Sequence, residues 1–147
     1  MRHVKPVKEF CIGCHLCELA CLTEHSRSGD LILAYTRERP EEGLKACKCV
    51  HHKGPVAVAM SCQHCADPAC VTACISGALC KDPVSGRTEY DREKCVGCWA
   101  CVMACPFGAI RRHVQSGKIV KCDLCVEREI PACVAACPNQ ALVLVED

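Results

Sequence analysis

Cys95-Val96-Gly97-Cys98-Trp99-Ala100-Cys101-Val102-Met103-Ala104-Cys105-Pro106, followed by Phe107-Gly108-Ala109-Ile110, is the stretch from which the rest of the chain is read. Its C-x2-C-x2-C-x3-C-P spacing is that of a bacterial iron–sulfur ligand run. Three thiolates on one tight loop can hold three irons of a cubane. The fourth, three residues on, turns toward a neighbouring cluster, so the run predicts a complementary partner elsewhere in the chain. Pro106 has no backbone N–H and is expected to stop the helical turn that carries Cys101 to Cys105.

Three further runs share this grammar. The first is Cys11, Cys14, Cys17 and Cys21, with the same spacing but Leu22 where the proline would stand. The second is Cys62, Cys65, Cys70 and Cys74, its loop widened around Pro68, with Ile75 in place of the proline. Ser76-Gly77-Ala78-Leu79 then matches Phe107-Gly108-Ala109-Ile110. The fourth is Cys122, Cys125, Cys133 and Cys137, with Pro131 in a longer loop and Pro138 after it. Each run ends in C-x3-C, which sets two cysteines about one helical turn apart. Paired C-x2-C units also build structural zinc sites, but zinc does not require three-cysteine loops each followed by C-x3-C. A structural zinc module is therefore the remote alternative.

Nineteen of the 147 residues are cysteine, a level that means a disulfide scaffold or metal sites. The odd count sits badly with a complete disulfide framework. Met1 to Phe10 has no apolar signal-peptide region and no twin-arginine pair, and no segment reads as a membrane span. A reducing, cytoplasmic compartment is expected, where disulfides are rare. Two Phe, two Tyr and one Trp leave no aromatic core, so ligation has to supply folding free energy and the apo form is expected to be largely unfolded. The formal charge of +1 falls to roughly −7 if sixteen thiolates hold four clusters. A mildly acidic protein without a basic run is not expected to bind nucleic acid. No Ser/His/Asp order, G-x-G-x-x-G or P-loop is present, so no catalytic constellation is expected.

Between the runs, residues 22–46 read as a solvated connector with an apolar patch at Leu31-Ile32-Leu33. The sharper reading is a docking surface, together with the turn at Gln115-Ser116-Gly117, because neither stretch is needed for ligation. Residues 46–60 predict a hairpin turning near Lys53-Gly54-Pro55, with Cys47 and Cys49 on one face of its first strand, as small apolar residues rather than as two further ligands of a metal site. A second hairpin is expected from Leu79-Cys80-Lys81 to Arg87–Tyr90, with Cys80 packed, and a third from Ala109–His113 to Lys118–Lys121. Ala141–Val145 predicts a closing strand. Lys8, Lys48, Lys94 and Lys121 lie near ligands in sequence, where they could raise a cluster potential, and are expected instead to be solvated. His15 and His64, inside ligand loops, read as neutral packing residues. Gly13, Gly77, Gly97 and Gly108 permit amide N–H groups to point at sulfur.

On these four runs, over residues 8–145, the chain resembles the electron-transfer subunits that carry four [4Fe-4S] clusters in multi-subunit oxidoreductases of anaerobic metabolism. These include the iron–sulfur subunits of carbon-monoxide dehydrogenase, formate dehydrogenase, formate hydrogenlyase, dimethyl-sulfoxide reductase and tungsten aldehyde oxidoreductase. The resemblance implies an α+β fold of two bacterial-ferredoxin-like modules, one nested within the other, with short hairpins and short helices around four cubanes. It implies one polyferredoxin domain over 1–147, with an outer module of 1–46 plus 118–147 and an inner module of 47–117. The implied ligand sets are Cys11, Cys14, Cys17 with Cys137; Cys122, Cys125, Cys133 with Cys21; Cys62, Cys65, Cys70 with Cys105; and Cys95, Cys98, Cys101 with Cys74. Leu22 and Ile75 bear on loop shape, not on ligation.

The implied function is a non-catalytic electron relay. One terminus is a large catalytic subunit with a Ni–Fe–S, molybdenum or tungsten centre. The other is a flavin NAD(P)H oxidoreductase, a hydrogenase or a ferredoxin. A freestanding, diffusible polyferredoxin is the alternative. The chain lacks the C-terminal extension of membrane-associated relatives, which favours a soluble complex.

Overall fold

Short apolar runs broken by turn residues and cysteine loops make short elements. The computed structural model describes residues 2–146. In chain order these are β1 (Arg2–Pro6), α1 (Leu16–Glu24), α2 (Leu31–Leu33), a π-helical turn (Ala34–Glu38), α3 (Arg39–Glu42), β2 (Cys49–Lys53) and β3 (Val56–Met60). Then follow α4 (Ala69–Thr72), β4 (Leu79–Lys81), β5 (Thr88–Tyr90), α5 (Ala100–Ala104), β6 (Arg111–His113), β7 (Lys118–Val120), α6 (Ala132–Ala135) and β8 (Leu142–Glu146). The architecture is the mixed α+β arrangement of short helices and hairpins that the sequence predicts.

The strands form four antiparallel pairs, β1–β8, β2–β3, β4–β5 and β6–β7. Three are the expected hairpins; in the first, Lys53 pairs with Val56 across Gly54-Pro55. The fourth pair has no local signal. It joins the two ends of the chain, with Val4 opposite Leu144 and an Arg2–Glu146 ion pair at 3.0 Å. Helix α1 packs on α6, and α4 packs on α5.

Residues 22–46 are helical rather than a plain connector. With no proline after Cys21, α1 runs on to Glu24. A second helical stretch spans Leu31 to Glu42. Asp30 caps it by accepting the Leu33 N–H at 2.9 Å, and Gly43 ends it in the left-handed conformation at φ 72°. Two buried residues hold it down. Ala34 has no exposed surface, and the buried Glu38 carboxylate accepts the N–H groups of Arg27 (2.8 Å) and Ser28 (3.0 Å).

Two cysteine expectations fail. Cys47 lies ahead of β2, which begins at Cys49, so the two do not share a strand face. Cys80 is exposed, because alternation along β4 turns Leu79 inward and Cys80 outward. The cores are built of aliphatic residues and sulfur. One gathers Val4, Leu22, Ala34, Val50, Ala57, Ala59, Leu124 and Leu142 with Cys17, Cys21, Cys47, Cys62, Cys122 and Cys133. The other holds Leu79, Ile110 and Ile119 with Cys70 and Cys101.

Candidate metal centres

All four cysteine runs bend in the same way. The residue before the second cysteine is left-handed in each: Gly13 (φ 68°), His64 (47°), Gly97 (71°) and Leu124 (66°). Such a turn converges successive backbone N–H groups into an anion-accepting concavity. In two runs the left-handed residue itself donates to the first sulfur: His64 N–H to Cys62 Sγ and Leu124 N–H to Cys122 Sγ, both at 3.4 Å. Glycine reaches this conformation freely; His64 and Leu124 are held in it by nearly complete burial. His15 and Trp99, also left-handed, then open α1 and α5, so Cys17, Cys21 and Cys101 ride on helices.

The last cysteine of a run receives its own donor. Ala109 N–H reaches Cys105 Sγ at 3.4 Å and Ala141 N–H reaches Cys137 Sγ at 3.2 Å. Each follows a left-handed residue, Gly108 or Gln140. Asn139-Gln140-Ala141-Leu142 is thus the counterpart of Phe107-Gly108-Ala109-Ile110, disguised because glutamine stands where glycine would. Pro106 does stop the helix as expected, leaving Cys105 extended at ψ 113°. Cys21 has no such turn, because its helix continues. The Cys47 N–H, arriving from 26 residues away, bonds its sulfur at 3.2 Å instead.

Cysteines of different runs lie beside one another. One cavity is lined by Cys11, Cys14, Cys17 and Cys137 beside Val50, Ala59 and Leu142. A second is lined by Cys74, Cys95, Cys98 and Cys101 beside Tyr90, Trp99 and Ile119. Cys65 and Cys70 lie within electrostatic reach of Cys62 and Cys105. Cys122, Cys125 and Cys133 each lie within reach of Cys21. Burial pushes the Cys17 and Cys122 thiols up to about 12 and the Cys101 thiol up to about 11. Thiols so desolvated become thiolates only beside positive charge, which iron would supply. His64 accepts the Thr88 N–H at its Nδ1 (3.0 Å), and burial pushes its pKa down to about 3, so the ring is neutral. Its Nε2–H and the Trp99 Nε1–H are then buried donors without an acceptor among the described residues. Sulfur donor sets, converging N–H groups and orphaned donors beside the ligand loops fit iron–sulfur clusters.

Several residues around these loops carry no signal in the sequence. His25 Nδ1 lies 3.7 Å from Cys21 Sγ, and its Nε2 pairs with Asp123 at 3.1 Å. Bonded first to Asp123 and then to Cys21, His25 is pushed up to about 11, and its bond holds Asp123 down at about 2. Hydrogen bonding from Cys47 and then His25 takes the Cys21 thiol down to about 4. Two of the four lysines expected to be solvated are buried. Lys48 is 1% exposed with Nζ on Ser61 Oγ at 2.7 Å; Lys121 is 8% exposed and donates to the carbonyls of Thr88 and Cys122. Lys8 and Lys94 are exposed. Long side chains fold back into cavities that a one-dimensional pattern does not reveal.

A groove of about 900 Å3 lies beside α1. Its walls include Leu19, Leu31, Ile32, Tyr35, Arg39, Lys45, Arg111 and Gln115, so the two stretches set apart from ligation meet in one surface. Lys45 Nζ donates to the Arg112 carbonyl at 2.7 Å across it. No helix among the described residues is long and apolar enough to cross a membrane.

Comparison with known proteins fits this geometry. The family model described as a 4Fe-4S dicluster domain matches residues 56–147, which include runs two to four. An iron–sulfur protein of Rhodospirillum rubrum is 37% identical over 94% of this chain and 78% of its own length. The electron transport protein HydN of Escherichia coli K12 is 36% identical over 92% of this chain and 83% of its own length. The B subunit of the anaerobic dimethyl sulfoxide reductase of Haemophilus influenzae is 38% identical over 91% and 68%. In two longer proteins of Escherichia coli K12 the chain spans only 20% and 22% of the relative's length. With most of its length matched both by the domain family and by these relatives, the chain belongs to the 4Fe-4S dicluster family of iron–sulfur electron-transfer proteins.

Proposed function

We propose that the chain holds four [4Fe-4S] clusters and serves as the non-catalytic electron-transfer subunit of an oxidoreductase complex. The cysteines fall into the four sets Cys11/Cys14/Cys17/Cys137, Cys122/Cys125/Cys133/Cys21, Cys62/Cys65/Cys70/Cys105 and Cys95/Cys98/Cys101/Cys74. Bound there, the clusters would supply one-electron redox sites. The chain's own residues ligate through sulfur, donate N–H groups to the sulfurs, and shut water out with small apolar side chains. The observation that carries the reading is the crosswise lining of two cavities, with Cys137 beside the first run's Cys11, Cys14 and Cys17 and Cys74 beside the third's Cys95, Cys98 and Cys101. The packing of α1 on α6 and of α4 on α5 supports an outer module (1–46 plus 118–147) around an inner one (47–117).

The partner at one end is a large catalytic subunit with a Ni–Fe–S, molybdenum or tungsten centre. The other is a flavin NAD(P)H oxidoreductase, a hydrogenase or a ferredoxin. The catalytic subunit docks in the groove beside α1. Exposed Leu31, Ile32 and Tyr35 offer apolar area. Arg39, Lys45 and Arg111 pair with no carboxylate among the described residues, so an acidic and apolar segment is complementary. Nineteen unpaired cysteines support a reducing, cytoplasmic setting.

The test is anaerobic purification from the native cell with metal analysis and identification of whatever co-elutes, beside an Ile32→Asp variant. The expected result is about sixteen irons per chain and a large metalloenzyme, lost in the variant while the iron stays. About four zinc ions per chain would overturn the cluster reading. A chain that emerges alone with full iron is a diffusible polyferredoxin, and the docking reading falls.

A further inference from the structure

Lys48 is the most deeply buried lysine or arginine among the described residues, at 1% exposure. An ammonium withdrawn from water is costly unless charge or several acceptors replace the hydration. Lys81 and Lys121 follow that rule, each donating to two or more backbone carbonyls. Lys48 does not. Its Nζ has one hydrogen-bond partner among the described residues, the Ser61 hydroxyl at 2.7 Å, and no described carboxylate lies within ion-pair distance.

On either side of Lys48 the chain lies against ligand sulfurs of the outer module. Before it, the Cys47 N–H bonds Cys21 Sγ at 3.2 Å; after it, Val50 lines the cavity of Cys11, Cys14, Cys17 and Cys137. Cys21 belongs to one outer ligand set, and those four cysteines form the other. The side chain therefore reaches between the two outer sets, held by Ser61, the residue before the first cysteine of the inner module.

We propose that the Lys48 ammonium is the buried counter-charge shared by the two outer-module clusters, and that it raises both of their reduction potentials. This rests on the four-cluster reading above. Each reduction adds a negative charge to a cluster, and a fixed cation in a low-dielectric surrounding stabilises the reduced form more than the oxidised one. On this reading the lysine biases residence of the electron toward the outer module.

The experiment is a potentiometric titration followed by electron paramagnetic resonance on the holo-protein. It compares the unaltered chain, Lys48→Met, which keeps the length without the charge, and Lys48→Arg, which keeps the charge. Two of the four signals are expected to move negative in Lys48→Met. At a fixed potential their reduced-to-oxidised ratio falls about tenfold, equivalent to about 59 mV for one electron, while Lys48→Arg stays close to the unaltered chain. Unchanged potentials in a fully loaded Lys48→Met protein overturn the proposal. So does a shift in Lys48→Arg as large as that in Lys48→Met, which would mark packing rather than charge. If Lys48→Met does not load, Ser61→Ala releases the ammonium while keeping its charge. A shift confined to the same two signals supports the proposal, and none, or one spread over all four, overturns it. Iron content of the unaltered chain decides the four-cluster reading separately.

Discussion

At Gly97 a Cβ would fall on the carbonyl oxygen of Gly117, and the backbone there is left-handed at φ 71°. The ligand loop that begins at Cys95 and the β6–β7 turn meet here, backbone against backbone. Gly97→Ala is expected to cost about 2 kcal/mol, since the side chain meets both a disfavoured conformation and an immovable neighbour. A lower melting temperature of the holo-protein and faster loss of iron would check it; an unchanged melting curve would show that the loop yields. The corresponding position is occupied by His64 and Leu124 in two other runs. Nothing about histidine or leucine announces a left-handed residue, and only the burial of both side chains shows what holds them there.

At the scale of the element, a missing proline has a visible effect. Leu22 lets α1 continue to Glu24, whereas Pro106 follows a helix that ends at Ala104. The longer helix carries the chain away from Cys21, and the helical stretch from Leu31 to Glu42 packs back through Ala34 and Glu38. Hydrogen bonds from the Ser28 side chain, and then from the backbone N–H groups of Arg27 and Ser28, hold the Glu38 carboxyl below its ordinary value. A depressed folded-state pKa contributes stability that is present above the unfolded value and is lost as pH falls through the folded one. Protection of the Arg27 and Ser28 amides, corrected for intrinsic exchange, is therefore expected to fall on acidification below the carboxylate range. Glu38→Gln should weaken that protection already at neutral pH and remove its pH dependence. Equal protection in the variant across that range would show that the carboxylate charge plays no part.

For the whole molecule, the decisive feature is a core made of cysteine, alanine and a few leucines and valines. Six cysteines sit among the buried residues of the larger core, and no aromatic side chain does. Such a core buries too little apolar area to offset chain entropy without ligation. Stripping iron with a chelator under reducing conditions is expected to abolish most of the far-ultraviolet circular dichroism. Retention of native-like helix and strand signal in the iron-free chain would refute this. The β1–β8 pair places both ends of the chain against that core through Val4 and Leu142, each under 5% exposed.

The amino-acid sequence by itself determined the chemical class of the protein, the three local hairpins and the α+β character. Ligand spacing, turn residues and strand alternation act over a few residues and can be read one after another. Tertiary structure alone decided that Arg2–Pro6 finds its partner at the opposite end, and that Cys47 lends its N–H to Cys21 across 26 residues. It also decided that Cys80 faces solvent while Lys48 does not. The physical reason is the same in each case. Burial and long-range hydrogen bonding depend on which segments meet, and in a chain whose elements average a few residues, no local pattern encodes that meeting.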